Sequence, residues 1–82
     1  MEYQLEYRPV AQQALARMSP DVARRVLRKV EQLRHDLAGD VKRLTAMSPS
    51  YRLRVGAWRV LFEVRGDTIV IHDVKHRSKA YD

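Results

Sequence analysis

Arg52, Arg54 and Arg59 are the residues in this chain with the most to offer chemically. They lie in the stretch YRLRVGAWRVLFEV, residues 51–64, where apolar and basic residues alternate on either side of Gly56-Ala57. A two-residue turn there, with Gly at the first central position as a type II′ turn requires, sets Arg54 directly opposite Arg59, with Arg52 two residues along the same strand. Like charges facing each other on a sheet cost roughly 0.2–1 kcal/mol, and an anion relieves that cost. Clustered guanidinium forks match the paired oxygens of a phosphate. The competing use of the same residues is a solvated polar face with splayed side chains.

More cations follow in the C-terminal run Lys75-His76-Arg77-Ser78-Lys79-Ala80-Tyr81-Asp82. A cationic tail finishing in an aromatic is either a frayed end or a functional arm. His76, with an ordinary pKa of about 6.5, is the natural physical candidate for an acid or a base; it also reads as a surface loop histidine. His35, His72 and His76 with the scattered acids match no metal-ligand spacing. No P-loop, nucleophile elbow or dinucleotide fingerprint occurs. Neither a metal nor a cofactor is expected.

These side chains need elements to hold them. A second tight turn at Gly66-Asp67 makes residues 51–74 a three-stranded meander, pairing Val64 with Ile69, Phe62 with Ile71, Leu61 with His72 and Arg59 with Val74, after which the regular pattern stops. Tyr51, Leu53, Val55, Trp58, Val60, Phe62, Val64, Ile69 and Ile71 then share a greasy face, and Arg52, Arg54, Arg59, Leu61, Glu63, Val70, His72 and Val74 share the other. Upstream, Tyr3, Leu5 and Tyr7 alternate with polar residues as a strand over 2–8, stopped by Pro9. Val10, Ala11, Ala14, Leu15 and Met18 recur at helical spacing over 10–18. Ser19-Pro20-Asp21 is a good helix start, with Ser as N-cap, Pro at the first position and an acid in the first turn. The stripe Val22, Ala23, Val26, Leu27, Val30, Leu33, Leu37 follows, with Gly39 as a C′ residue. Its outer face carries Arg24, Arg25, Arg28, Lys29, Arg34 and His35, diluted by Glu31 and Asp36, which reads as a solvated helix face or as a phosphate-backbone patch. Residues 40–50 connect the helices to the meander, with Leu44 and Met47 as anchors. The expected fold class is α+β: an N-terminal strand, a two-helix hairpin, then a three-stranded antiparallel meander with the helices packed on one face. It forms a single domain over residues 1–82.

Eighty-two residues leave room for one modest core. Sixteen Lys and Arg against 10 Asp and Glu give a net charge of +6, which favours a polyanionic partner: nucleic acid, ribosome, anionic membrane surface or acidic protein. No cysteine is present, in keeping with a reducing compartment. The N-terminus lacks an apolar targeting core and no run of about 18 apolar residues exists, so a soluble, unexported, cytoplasmic protein with no membrane association is expected.

The order strand, helical hairpin, meander, with YRLRVGAWRVLFEV followed by a turn and VKHRSKAY, resembles the RelE/ParE toxin superfamily of type II toxin-antitoxin systems, and within it the RelE-like members. The likeness covers nearly the whole chain. It implies a metal-independent endoribonuclease, an mRNA interferase that enters the ribosomal A site, cleaves messenger RNA there and so inhibits translation, and that a cognate antitoxin covers and silences. Its partners would be that antitoxin, in a hetero-oligomer, and a 70S-type ribosome with its mRNA and rRNA. By the same likeness, Arg52 and Arg54 take phosphate-binding and transition-state roles, Arg59 matches the arginine after the aromatic, Arg77 matches a tail arginine cast as acid or charge stabiliser, and Tyr81 matches the terminal tyrosine proposed as general base. Lys75, Lys79 and Arg43 would add RNA-binding charge. The chain departs from the pattern at Lys75, where Gly is common, at Ala57, where Asp is common, and in using arginines for lysines.

Cleavage by a ribose 2′-OH needs in-line positioning, a base, an acid and cations for the phosphorane charge. Arginines supply the last. Tyr81 starts near a pKa of about 10, lowered by neighbouring cations, and arginine holds its proton past about pH 12, so an acid role for Arg77 rests on the resemblance. Two other functions fit the same residues: a ParE-like DNA gyrase inhibitor without nuclease activity, and a non-toxic nucleic-acid-binding relative.

Overall fold

A computed structural model describes residues 1–44 and 48–79. The elements are β1 (Gln4–Tyr7), α1 (Pro9–Ala16), α2 (Pro20–Gln32), β2 (Val41–Arg43), β3 (Tyr51–Val55), β4 (Trp58–Arg65) and β5 (Thr68–His76). They form an α+β fold in which one five-stranded sheet, in the order β1-β5-β4-β3-β2, carries the helical hairpin on one face. β1 runs parallel to β5, the other neighbours are antiparallel, and the two helices carry the chain from β1 at one edge of the sheet to β2 at the other.

Both helices open on a proline, whose missing N–H costs nothing at the first helical position. Ser19 takes the extended cap conformation, but its side chain makes no cap hydrogen bond; the acid of the first turn, Asp21, is engaged by Arg24 at 2.5 Å. Val26, Val30 and Leu33 are fully buried, as the 3.6-residue spacing requires, while Leu27 falls off the stripe and stays 39 % exposed.

The stripe does not run as helix to Gly39. α2 ends at Gln32, and Asp36 and Leu37 take positive φ angles of 55° and 58°. The reason is competition for the backbone: the amide of Tyr3 donates to the carbonyl of Arg34, that of Asp36 donates to the carbonyl of Met1, and His35 bonds Glu2 at 2.5 Å. The strap that follows crosses close over β3, and Gly39 (φ +132°) leaves no room for a Cβ, which would lie 2.9 Å from Leu53 Cδ1.

β2 is the strand the sequence did not announce. Val41–Arg43 is too short to show a period, and it becomes a strand because the sheet offers an open edge: Val41 pairs with Leu53, Lys42 with Arg52 and Arg43 with Tyr51. The connection beyond it is closed by Leu44 N donating to Ser50 O at 2.6 Å, with Leu44 buried as expected; the second expected anchor, Met47, lies outside the described residues.

Both turns follow the expected geometry, Gly56 and Gly66 having φ of 58° and 61° while Ala57 and Asp67 keep negative φ. The register is as expected from Tyr51↔Phe62 to Val55↔Trp58, and from Arg65↔Thr68 to Phe62↔Ile71. It then departs, because a β-bulge between Leu61 and Phe62 shifts the partner strand by one residue. Leu61 faces Asp73 rather than His72, and Arg59 faces Lys75 rather than Val74. The driving force is burial. An unbulged ladder would put Val74 on the polar face; the bulge turns it inward against Val60, 3 % exposed, a gain of roughly 1.5–3 kcal/mol for a valine taken from water.

Candidate functional site

Alternation in β3 and β4 sends Leu53, Val55, Val60 and Phe62 into the core and Arg52, Arg54 and Arg59 to the face away from the helices. The neighbouring strands extend this set, because directly paired residues share a face: Lys42 of β2 stands across from Arg52, and Lys75 of β5 across from Arg59. A row of five cations thus crosses four strands. Arg52 and Arg59 are sunk into the sheet at 6 % and 5 % exposure, while Arg54 is half-exposed. Arg59 Nη1 donates to the carbonyls of Gly56 and Trp58 at 3.0 and 3.2 Å, which ties the guanidinium to the β3–β4 turn.

The sequence reading missed Asp40. It sits fourteen residues before Arg54, in the strap leading to β2, and no local pattern relates the two. In the fold Arg54 Nε donates to Asp40 Oδ2 at 2.8 Å, Arg52 Nη1 lies 3.8 Å from Asp40 Oδ1, and Arg54 N donates to the Asp40 carbonyl at 3.0 Å. The hydrogen bond from Arg54, with the fields of Arg54, Arg52 and Arg59, holds the carboxyl below its ordinary pKa, so it is anionic at neutral pH.

Beside the cationic row lies an open pocket of about 330 Å³, with Leu44, Pro49 and Leu61 as apolar lining and His72, Asp73 and Lys75 as polar lining. His72 Nε2 approaches Glu63 Oε1 at 2.6 Å, a structural pairing on this face.

The tail residues are placed differently. His76 pairs with Trp58, on the helix side of the sheet, and its ring meets the indole edge-on at 5.3 Å between centroids. The amide of Ser78 donates to His76 Nδ1 at 3.3 Å, and the Ser78 hydroxyl lies 3.0 Å away. Arg77 is exposed, and its amide donates to the Ala57 carbonyl at 2.7 Å, fastening the tail to the β3–β4 turn. Lys79 lines a second pocket, with Gln13 of α1, the C-cap residue Arg17 and His76. Arg43 is turned to the helix side, 5.8 Å over the Tyr51 ring. Tyr81 lies outside the described residues. The fold therefore brings together Arg52, Arg54, Arg59 and Lys75, and separates them from His76 and Arg43. Such a face can hold the oxygens of a phosphodiester and spread the charge of a pentavalent intermediate.

The model of the family described as ParE toxin of type II toxin-antitoxin system, parDE, matches residues 5–81. The chain belongs to the RelE/ParE superfamily of toxins. Its relatives include Toxin RelE3 of Methanocaldococcus jannaschii, 44% identical to this RelE/ParE toxin over 48 residues, which are 58% of this chain and 54% of that protein. The chain spans about half the length of this curated relative. Two of the solved structures that share the toxin's fold are antitoxin-toxin complexes. The RelB-RelE antitoxin-toxin complex from Methanococcus jannaschii has a TM-score of 0.74 at 26% identity, covering 89% of this chain and 91% of that one. The archaeal RelE-RelB complex from Pyrococcus horikoshii OT3 has a TM-score of 0.78 at 26% identity, covering 98% and 100%.

Proposed function

We propose that this RelE/ParE toxin is a ribosome-dependent endoribonuclease that cleaves messenger RNA in the A site and is silenced by a cognate antitoxin. The observation that carries the reading is the one-sided cation row Lys42, Arg52, Arg54, Arg59, Lys75, with two of its arginines sunk into the sheet where bulk water screens them least. In this scheme the 2′-OH of one nucleotide gives up its proton and attacks the adjoining phosphorus, the P–O5′ bond breaks to leave a 2′,3′-cyclic phosphate and a 5′-oxygen that takes up a proton, and the guanidiniums of Arg52, Arg54 and Arg59 hold the non-bridging oxygens as charge accumulates on them. Loss of one such donor costs about 3 kcal/mol at the barrier. Tyr81 is assigned the base role and Arg77 a charge-stabilising role by likeness to the superfamily. Guanidinium charge stands in for a metal, so the reaction is metal-independent. Without a strong acid or base of its own the free toxin is sluggish, and the ribosome orients the substrate.

The antitoxin assignment is supported by the two archaeal structures, each a complex of a RelE with a RelB. An acidic segment laid along the cation row would quench it by occupancy. The ribosomal substrate places the protein in the cytoplasm. A second reading, a ParE-like DNA gyrase inhibitor that does no chemistry, draws on the ParE description of the matching family model. Mapping message ends on translating ribosomes after brief induction separates the two: new ends within A-site codons support the nuclease, while intact messages with DNA-damage signalling support the gyrase inhibitor.

A further inference from the structure

Asp40 is the one carboxylate among the described residues that both Arg52 and Arg54 approach within 4 Å, and its place is fixed by the backbone rather than by side-chain attraction alone. Arg54 N donates to the Asp40 carbonyl, and the preceding Gly39 is wedged against Leu53. The side chain is half-exposed, so a ligand approaching the cation row meets it. A carboxylate offers a guanidinium the same paired oxygens as a phosphodiester.

We propose that Asp40 is a built-in stand-in for phosphate: its carboxylate holds Arg54 through Nε, beside Arg52, and a nucleic-acid phosphate binds by displacing it. The inference rests on the reading of this face as a phosphodiester site, and it adds a selectivity device to that site. A single small anion makes too few contacts to evict the carboxylate. A polynucleotide, which engages Lys42, Arg59 and Lys75 at the same time, makes enough. The resting face is also kept from the mutual repulsion of Arg54 and Arg59, which stand directly opposite each other. Asp40 is thus a positioning residue acting through Arg54, and it touches no reacting atom.

The test is fluorescence-anisotropy titration of a fully 2′-O-methylated RNA oligonucleotide, which cannot be cleaved, across a range of salt concentrations. Removing one negative charge within about 4 Å of the arginines by Asp40→Asn tightens binding about tenfold at low salt and steepens the log–log salt slope by about one. Asp40→Glu keeps the charge and binds within about twofold of the parent, and in an Arg54→Ala background the gain from Asp40→Asn shrinks to about threefold or less. Asp40→Ser removes the charge equally and gives the same result if the Asn variant folds poorly. Unchanged or weaker binding by a folded Asp40→Asn, or an equal gain with and without Arg54, overturns the proposal. The nuclease reading is judged separately by message ends: a toxin that cuts no message but binds oligonucleotide more tightly as Asp40→Asn loses the nuclease and keeps the Asp40 role.

Discussion

Arg59 stands between Arg54 on one side and Lys75 on the other, and its pairing with Lys75 exists only because of the bulge at Leu61/Phe62. Three cations in line across three strands work against the sheet, since like charges directly opposed are unfavourable. Arg59→Met keeps a buried stem of similar length and removes the central charge. Met relieves the repulsion but cannot replace the hydrogen bonds that Arg59 gives to the Gly56 and Trp58 carbonyls, so urea melts should place the variant below the parent by about 1–2 kcal/mol, still folded. Message cleavage on ribosomes should fall about 10²–10³-fold. A folded variant that still cuts at the parental rate removes Arg59 from the site.

Gly39 is a position where the strap admits no side chain. At φ +132° an L-residue is strained whatever the space, and a Cβ there meets Leu53 Cδ1, itself fully buried. Gly39→Ala should cost about 2–4 kcal/mol, combining backbone strain with overpacking, read as a lowered urea midpoint with an unchanged slope. Because the same strap carries Asp40, binding of the 2′-O-methylated oligonucleotide should change with it.

Tyr7 is half-buried, and its burial, with a smaller push from Glu31, raises its pKa above the ordinary value of 10.0. A phenol whose folded pKa is raised keeps its proton in the folded chain while the unfolded chain ionises. Its contribution to stability is therefore complete below about pH 10 and is lost as pH climbs through the folded value. Thermal melts should hold level from pH 8 to 9.5 and then decline, and Tyr7→Phe should flatten that alkaline decline. Identical alkaline slopes for both proteins would exclude Tyr7 as its cause.

His76 is the residue that chemical reasoning from side-chain type favours most and that the fold places worst. Its ring packs edge-on to Trp58 on the helix side, away from the arginines. A general acid or base contributes about 10²–10⁴-fold; His76→Ala should lower message cleavage by no more than about threefold. A hundredfold loss in a variant that melts normally would move the site to the tail.

The meander and its two faces were legible because they rest on local chemistry. Gly56 and Gly66 specify tight turns, a tight turn fixes its register, and alternation then commits Arg52, Arg54 and Arg59 to one side and Leu53, Val60 and Phe62 to the other. The superfamily was likewise readable from the strand, the turn and the basic tail. Three features were decided by residues far apart in the chain. The bulge depends on whether Val74 finds room beside Val60, which no local pattern states. β2 forms because β3 presents an unpaired edge to three residues with no strand signal of their own. Asp40 reaches Arg54 only after the chain leaves α2 early and the Gly39 strap folds across Leu53. Sequence spacing determines which face a side chain takes; which charge it meets there is set by where the rest of the chain comes to lie.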